Sequence, residues 1–265
     1  MILRLITKTW FDRWRSISLW TLGLVVLGAV QLSVYPTIRD AAEGMKQFLD
    51  AFPDALKAIF RMEDYVSGPG YLGAELFSLT LPLIFLTVGS SWGAAATAED
   101  EENGTADLLL TLPFSRLRVW LCKSAALVGV LIGMGTVIYV VLRVGSLLVD
   151  MEIDSMNLAA GVVACLLLGY FFSSLAGVAG ASMGKKGAAL GVSIGVAIAS
   201  FVLYSLAPLV DTFDVLLPLN PFEWAIGGKP LVNGFQWFDL GVLLILSFGL
   251  NLIAVRLFVR RDIRI

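Results

Sequence analysis

Histidine is absent from this chain of 265 residues. Its absence removes the commonest general base and the commonest metal ligand from any catalytic site. Charged residues are also scarce, at 15% of the sequence, whereas a soluble domain carries about a quarter. Because the mean hydropathy is +0.84, the composition instead indicates a membrane protein whose function does not rest on histidine chemistry.

Cysteine is also in short supply, with two in the whole sequence. Two thiols are too few for a metal site. Cys122 falls at the edge of one predicted membrane span and Cys165 lies inside another, so a disulfide between them is disfavoured. We predict that both are structural residues and that the chain binds no metal.

Long apolar runs fill most of the sequence between its charged clusters. About 20 such residues in a helix cross the roughly 30 Å of a bilayer's hydrocarbon core. The runs lack the period-two alternation of barrel strands, so helices are expected. We predict an all-α polytopic membrane protein, with a kink at Pro82 and six transmembrane helices at about residues 17–36, 74–97, 118–149, 157–183, 188–210 and 237–258.

The first 16 residues are too charged to span a membrane. Ile2, Ile6, Trp10 and Trp14 recur every four residues, and basic residues fall on the other face. This pattern predicts an amphipathic interfacial helix over residues 1–16, with Trp10 and Trp14 as anchors at headgroup level. A cleaved signal peptide is the alternative. The apolar run after residue 16 is long and "SVYPT" is a poor cleavage site, so a retained first span is favoured.

Residues 17–265 then form the transmembrane domain, with two long connections on one side of the membrane. The first external loop covers residues 37–73, and a Pro- and Gly-rich external segment covers residues 211–236. Most of the 19 Lys and Arg residues lie on the other side, which the positive-inside rule makes the cytoplasm. Both termini are therefore predicted to be cytoplasmic. These basic residues are Arg4, Lys8, Arg13, Arg15, Arg116, Arg118, Lys123, Lys185, Lys186, Arg256, Arg260, Arg261 and Arg264.

Two short motifs suggest enzymes and are better explained by membrane helices. "GVSIG" at residues 191–195 fits the G-x-S-x-G pattern of serine hydrolases, but without histidine no catalytic triad can form. We interpret its small residues as a packed helix face. "ASMGKKG" lacks the first glycine and the Ser or Thr of a phosphate-binding loop, so the sequence offers no nucleotide site.

A charged stretch, "AEDEENGTADLLLTLPFSR", interrupts the apolar sequence between the second and third spans. Its acids suit the start of a helix, Thr105 suits an N-cap, and leucines then form an apolar face that Pro113 ends. Two interpretations remain open. The stretch is either a solvated loop, or a part-apolar cytoplasmic elbow over residues 98–117 that docks to a partner.

The same stretch resembles a motif of permease subunits of exporter-type ABC transporters, the ABC type-2 family. The family pattern is E-x-E-x-G-T-x-x-L-L-x-x-P-x-S-R followed by a lysine. The external segment "LLPLNPFEWAIGG" resembles the family more weakly. The matching residues of the first stretch are Glu99, Glu102, Gly104, Thr105, Leu108, Leu109, Pro113, Ser115, Arg116 and Lys123.

This resemblance implies a translocating permease subunit in the plasma membrane of a prokaryote. Two permease copies, identical or homologous, would pair in the bilayer, and separate ATPase subunits would bind ATP and Mg²⁺. The chain itself would hold no cofactor, bind no nucleic acid and not be an enzyme. The elbow would couple it to the ATPase through Glu99, Asp100, Glu101, Glu102, Gly104, Thr105, Leu108, Leu109, Pro113 and Arg116.

An ion-coupled secondary transporter or a channel subunit is the alternative function. Such proteins carry ionisable groups deep in the bilayer, and the sequence places no carboxylate at mid-span, since Glu75 lies at a span edge. A membrane enzyme is disfavoured further, because histidine and clustered internal carboxylates are lacking.

Arg143 lies inside the third predicted span and belongs to neither side of the membrane. It could snorkel outward towards Asp150 or Glu152, or it could face the substrate path. Tyr139 lies one helical turn earlier on the same side, so the second interpretation predicts a polar-aromatic patch formed by Arg143 and Tyr139.

Overall fold

The computed structural model describes residues 2–44, 53, 57, 64–102 and 115–260. In these ranges the chain is helical and no strand occurs. Six helices are long and apolar enough to cross a membrane, which confirms the predicted all-α, six-span architecture. Numbered as spans 1 to 6, they are Trp14–Asp40, Gly68–Glu99, Arg116–Leu148, Ser155–Met183, Lys186–Leu209 and Trp237–Arg260.

A separate N-terminal helix, Ile2–Asp12, precedes span 1. Arg13, with φ −119° and ψ 12°, breaks the helical geometry between the two. The N-terminal helix packs against span 3, while Leu3 and Phe11 remain exposed. Span 1 itself continues as one helix past Pro36 to Asp40.

Span 2 is irregular at its start. A short helix, Gly68–Leu72, begins at Ser67, whose Oγ accepts a hydrogen bond from the Gly70 amide at 3.0 Å. A π-helical turn over Gly73–Phe77 follows, and a regular helix then runs over Thr80–Glu102. Pro82 lies in the first turn of this helix, directly after the irregular stretch, where a missing amide hydrogen breaks no helical bond. The kink expected at this proline stays a prediction.

Spans 2 and 4 form the centre of the bundle, and glycines let their backbones meet. A Cβ at Gly89 would lie 2.0 Å from the Gly169 carbonyl oxygen. One turn further, a Cβ at Gly93 would lie 2.0 Å from the Ser173 carbonyl oxygen. Small residues at four-residue spacing are a common helix contact in membranes, and here they allow backbone-to-backbone packing along two turns.

Spans 5 and 6 join this centre through buried polar groups. The hydroxyls of Ser90 and Ser193 share a hydrogen bond of 2.8 Å, and Ser193 donates to the Phe172 carbonyl at 3.0 Å. From span 6, Asn251 donates to the Tyr170 hydroxyl at 3.1 Å. Such interhelical hydrogen bonds each stabilise a bundle by about 0.6 kcal/mol.

The "GVSIG" residues belong to span 5, and the structure divides them. Ser193 is fully buried against spans 2 and 4. Gly191 and Gly195 have no described atom of this chain within 4 Å of an added Cβ, so packing of these two glycines stays a prediction. The buried residues Ala189, Ser193 and Ala197 form one face of this helix, and this face carries its contacts with the described part of the chain.

The connection between spans 5 and 6 is folded into the bundle. Its 3₁₀, α- and π-helical turns run through Leu217–Leu219, Glu223–Gly227 and Pro230–Asn233. Asn220 fixes it by donating to the Ser200 carbonyl at 2.8 Å and accepting from the Phe222 amide at 2.9 Å. Phe222 is fully buried among aromatic rings of spans 4 and 5, namely Phe172, Phe201 and Tyr204.

Candidate functional site

One end of the bundle collects charged residues from three separate elements. We call this end the basic side, because spans 1, 3 and 5 begin there and spans 2, 4 and 6 end there, close to most of the lysines and arginines. Arg13 comes from the break before span 1, Glu99 and Glu102 from the end of span 2, and Lys186 from the start of span 5. These four residues are named the Glu99 junction.

Glu99 lies at the centre of the junction and binds two cations. One carboxylate oxygen, Oε2, accepts a hydrogen bond from Nη2 of Arg13. The other, Oε1, accepts from Nζ of Lys186 at 2.6 Å. Glu102 adds a contact to the same partner, since its Oε1 accepts from the backbone amide of Lys186 at 2.7 Å. The carboxylates of span 2 thus hold both the N-terminal break and the first turn of span 5.

Further contacts keep the junction in place. The Arg13 guanidinium lies over the Trp92 ring, 5.0 Å from its centroid, and a cation in this position is stabilised by about 1 kcal/mol. Lys123 of span 3 donates to the Ala96 carbonyl at 3.3 Å. A cavity of about 120 Å³ between these groups is lined by Thr9, Asp12, Arg13, Trp92, Ala95, Ala96, Glu99 and Lys123.

The junction is half-buried, which makes its ion pairs stronger than ordinary surface pairs. The Glu99 side chain is 30% exposed, and those of Arg13 and Lys186 are 20% and 28% exposed. Exposed pairs contribute about 0–1 kcal/mol, whereas removing one partner of a buried pair costs about 3–5 kcal/mol. Glu99 is therefore suited to hold three elements together as a unit while water still reaches the charges.

The predicted elbow begins and ends beside this junction. Glu99 and Glu102 belong to the last turns of the span 2 helix, and Ser115 caps span 3 by accepting from the Arg118 amide at 3.3 Å. Arg116 is the first residue of span 3. The side chains of Asp100 and Glu101 fall outside the described part of the chain. So do the predicted coupling residues Gly104, Thr105, Leu108, Leu109 and Pro113.

Trp10 and Trp14, the predicted interfacial anchors, have different surroundings. The indole Nε1 of Trp10 donates to the Ala126 carbonyl in span 3 at 2.8 Å, and its ring lies against Gly129, where a Cβ would approach it to 2.7 Å. Trp14 is 56% exposed. The structure therefore gives Trp10 a docking contact that helical periodicity could not reveal, while its anchoring role stays a prediction.

Arg143 and Tyr139, the predicted substrate-path residues, lie in span 3. Nη1 of Arg143 donates to the Ile153 carbonyl at 3.5 Å, in the connection between spans 3 and 4. The guanidinium thus points towards the side opposite the junction and contacts a backbone oxygen, where acidic partners were expected. Tyr139 packs against a core to which spans 1 to 4 all contribute. Whether either residue contacts a substrate stays a prediction.

A tyrosine cluster at the opposite side was not anticipated from the sequence. The Tyr65 hydroxyl donates to Oε1 of Glu75 at 2.5 Å, and the Tyr65 and Tyr71 rings meet edge to face at 5.5 Å. Burial, and then the hydrogen bond and charge of Glu75, raise the pKa of the Tyr65 hydroxyl. Glu75 lies in the π-helical turn of span 2, a type of turn that is frequent at functional sites.

The described ranges hold neither a group of metal-ligating side chains nor paired cysteines. No group of three or more Cys, Asp or Glu residues there could hold a metal ion. Cys122 and Cys165 are both buried and unpaired as thiols.

Comparison with protein families gives a match over nearly the whole chain. A protein-family model described as "ABC-2 family transporter protein" matches residues 3–263. No curated protein matches the sequence.

Proposed function

The chain belongs to the ABC-2 family of transporters, and we propose that it is the membrane-spanning permease subunit of an ATP-binding-cassette exporter. Membership of this family identifies the chain as an integral membrane component of a transport system. In the proposal, it pairs with a second permease copy or a homologue to enclose the translocation path. A separate ATPase subunit binds ATP and Mg²⁺ and hydrolyses the nucleotide. Family membership favours this function over the ion-coupled transporter or channel.

The coupling route that we propose runs through residues 98–117 at the basic side, which we assign to the cytoplasm. Both termini then lie in the cytoplasm of a prokaryotic cell, and the membrane is its plasma membrane. The assignment rests on the positive-inside rule, since short cytoplasmic connections are rich in Lys and Arg.

The Glu99 junction is the observation that carries this proposal. The elbow leaves span 2 directly after Glu102 and joins span 3 at Arg116. A force on the elbow therefore acts on the ends of spans 2 and 3. Because Glu99 binds Arg13 and Lys186, the N-terminal helix and span 5 would follow the same displacement. Packed helices move between discrete arrangements, so docking at one short segment can shift several helices together.

Co-purification with an ABC-type ATPase tests the proposal. The tagged chain is expressed in its native host, and the ATPase is sought in the complex extracted from the membrane. Leu109→Asp places a charge on the predicted apolar face of the elbow and should release the ATPase. Leu219→Asp is the matched control, because Leu219 is 72% exposed at the opposite side. Failure to recover any ATPase would contradict the permease role, and equal recovery with both variants would contradict docking at the elbow.

A further inference from the structure

An apolar groove lies between the N-terminal helix, span 1 and span 3, and nothing in the proposed transport cycle uses it. Its volume is about 510 Å³, within the range of about 300–1,000 Å³ that small-molecule sites occupy. Its lining residues are Thr7, Trp10, Phe11, Trp14, Ile17, Ser18, Thr21, Gly129, Val130, Gly133, Met134 and Val137.

The floor of the groove reaches the backbone of span 3. Gly129 and Gly133 lie one helical turn apart, and a Cβ at Gly133 would have no described atom within 4 Å. Hydroxyls contribute little to the lining. Thr7, for example, donates its hydroxyl to the Leu3 carbonyl of its own helix at 2.9 Å and so can leave its methyl group for the groove. The groove is thus suited to a flexible hydrocarbon chain.

The length of span 3 indicates that this groove lies at the membrane boundary. Span 3 has 33 residues, which at about 1.5 Å per residue make roughly 50 Å, well beyond the roughly 30 Å of hydrocarbon. Counted back from Leu148, about 30 Å of helix ends near Gly129, close to Ala126, which binds Trp10. The N-terminal helix therefore lies near the boundary, and the groove extends from it along span 3 to Val137 within the hydrocarbon.

Positive charge borders the groove at that boundary. The Arg15 guanidinium lies over the ring of groove-lining Trp14, 5.7 Å from its centroid. Arg4 and Lys8 are exposed and four residues apart, so they share one face of the N-terminal helix. Across the described ranges none of these three cations forms an ion pair. Asp12, four residues after Lys8, lines the cavity of the Glu99 junction, and no ion pair between these two side chains occurs in the described ranges.

We propose that this groove binds one anionic phospholipid of the adjacent leaflet. An acyl chain lies over Gly133 and beside the Trp10 ring that covers Gly129, and the headgroup phosphate meets Lys8 and Arg15. Hydrocarbon matches the lining, and the phosphate complements cations that form no ion pair with the described residues. Anionic lipids attract basic segments beside membrane spans in this way. The bound lipid fills the corner between the N-terminal helix and span 1, and so favours the docked position of that helix.

Native mass spectrometry of the full-length chain tests the site directly. The chain is reconstituted in vesicles of equal phosphatidylglycerol and phosphatidylcholine, extracted in mild detergent, and the retained lipids are counted. The expected result is one retained phosphatidylglycerol per chain, favoured several-fold over phosphatidylcholine. Retention of no lipid, or of both lipids equally, would overturn the proposal.

Two variants with matched controls locate the lipid. Gly133→Leu adds a side chain to the groove at a position where a Cβ has no described neighbour within 4 Å, and it should abolish retention. Gly241→Leu, at a position in span 6 whose Cβ is equally free, should not. Lys8→Gln with Arg15→Gln should remove the preference for phosphatidylglycerol, whereas Arg256→Gln with Arg260→Gln should keep it. Unchanged retention in Gly133→Leu would place the lipid elsewhere. A change from dimer to monomer in this variant, with no lipid on the parent, would make the groove a subunit contact.

Discussion

Glu99 and Lys186 form an ion pair of 2.6 Å although 87 residues separate them in the sequence. The pair joins the end of span 2 to the start of span 5. With Arg13 on the other carboxylate oxygen, it makes the region next to the elbow a branching point between helices.

Neutralising Glu99 should uncouple the transporter. Glu99→Gln keeps the shape but leaves Arg13 and Lys186 without a counter-charge, at a cost of about 1–3 kcal/mol. We expect less substrate moved per ATP hydrolysed, measured in vesicles that contain the permease and its ATPase. Glu102→Gln is the control, because an amide oxygen can still accept the Lys186 backbone hydrogen bond. Equal transport ratios in both variants and the parent would show that the junction is only structural.

Adding one methyl group between spans 2 and 4 should destabilise the bundle. Gly93→Ala places a Cβ 2.0 Å from the Ser173 carbonyl oxygen, and neither backbone can move without separating the helices. Overpacking of this kind typically costs about 1–3 kcal/mol. Thermal denaturation in detergent, followed by size-exclusion chromatography, should show a lower midpoint for Gly93→Ala than for Gly241→Ala, which has no close neighbour. Equal midpoints would contradict backbone contact at this position.

Substitutions of Arg143 should distinguish between two roles for this residue, an outward-pointing cation and a contact with the substrate. In Arg143→Lys the charge and a long stem remain, so a side chain that reaches the Ile153 carbonyl should still function. We expect near-normal transport for Arg143→Lys and reduced membrane abundance for Arg143→Ala. Loss of transport with lysine at normal abundance would instead assign the planar guanidinium a role in binding substrate.

Trp10 should hold the N-terminal helix in place. Trp10→Phe removes the Nε1 hydrogen bond to Ala126, which contributes about 1 kcal/mol, and it also shortens the ring that lies against Gly129. Amide hydrogen exchange in residues 2–12 should become several-fold faster. Trp14→Phe is the control, because no hydrogen bond from its indole is found among the described residues. Similar exchange in the two variants would mean that the bond does not restrain this helix.

Tyr65 should ionise only in strongly alkaline solution. Burial and the Glu75 carboxylate raise the pKa of its hydroxyl, so the hydrogen bond is fully present below the normal tyrosine pKa. The stabilisation is then lost as pH rises through the higher folded-state value. Phenol ionisation can be followed by ultraviolet absorbance as the pH is raised. The step at the highest pH belongs to Tyr65 if it is lost in the Tyr65→Phe variant. Glu75→Gln should lower this pKa without restoring the normal value, and an unshifted titration would contradict the contact.

The spans could be predicted because their signal is local. Some 20 apolar residues in a row identify a membrane helix whatever surrounds them, and the observed helices begin or end within a few residues of the expected positions. The N-terminal helix was also expected, from the four-residue spacing of its apolar side chains. The π-helical turn before Pro82 was not, because helix propensity does not distinguish an α-turn from a π-turn.

Most of the candidate site could not be predicted, because it depends on pairings between distant residues. Glu99 was singled out from its acidic run, but Arg13 and Lys186 appeared only as basic residues of one membrane side. The Gly89–Gly93 pair did carry a readable signal, since glycines at this spacing often mark helix contacts. The burial of Phe222 and Ile226 in the connection after span 5 was missed because prolines and glycines around them suggested an exposed loop.

The backbone contact between Gly93 and Ser173 has a consequence for biogenesis. Span 2 leaves the ribosome before span 4 exists, and synthesis at about 5–20 residues per second separates the two by several seconds. During that time the glycine face of span 2 has no partner within its own chain. The nascent chain must therefore insert span 2 as an independent helix and assemble the bundle only when span 4 arrives, so truncation after span 3 should leave inserted helices without a centre.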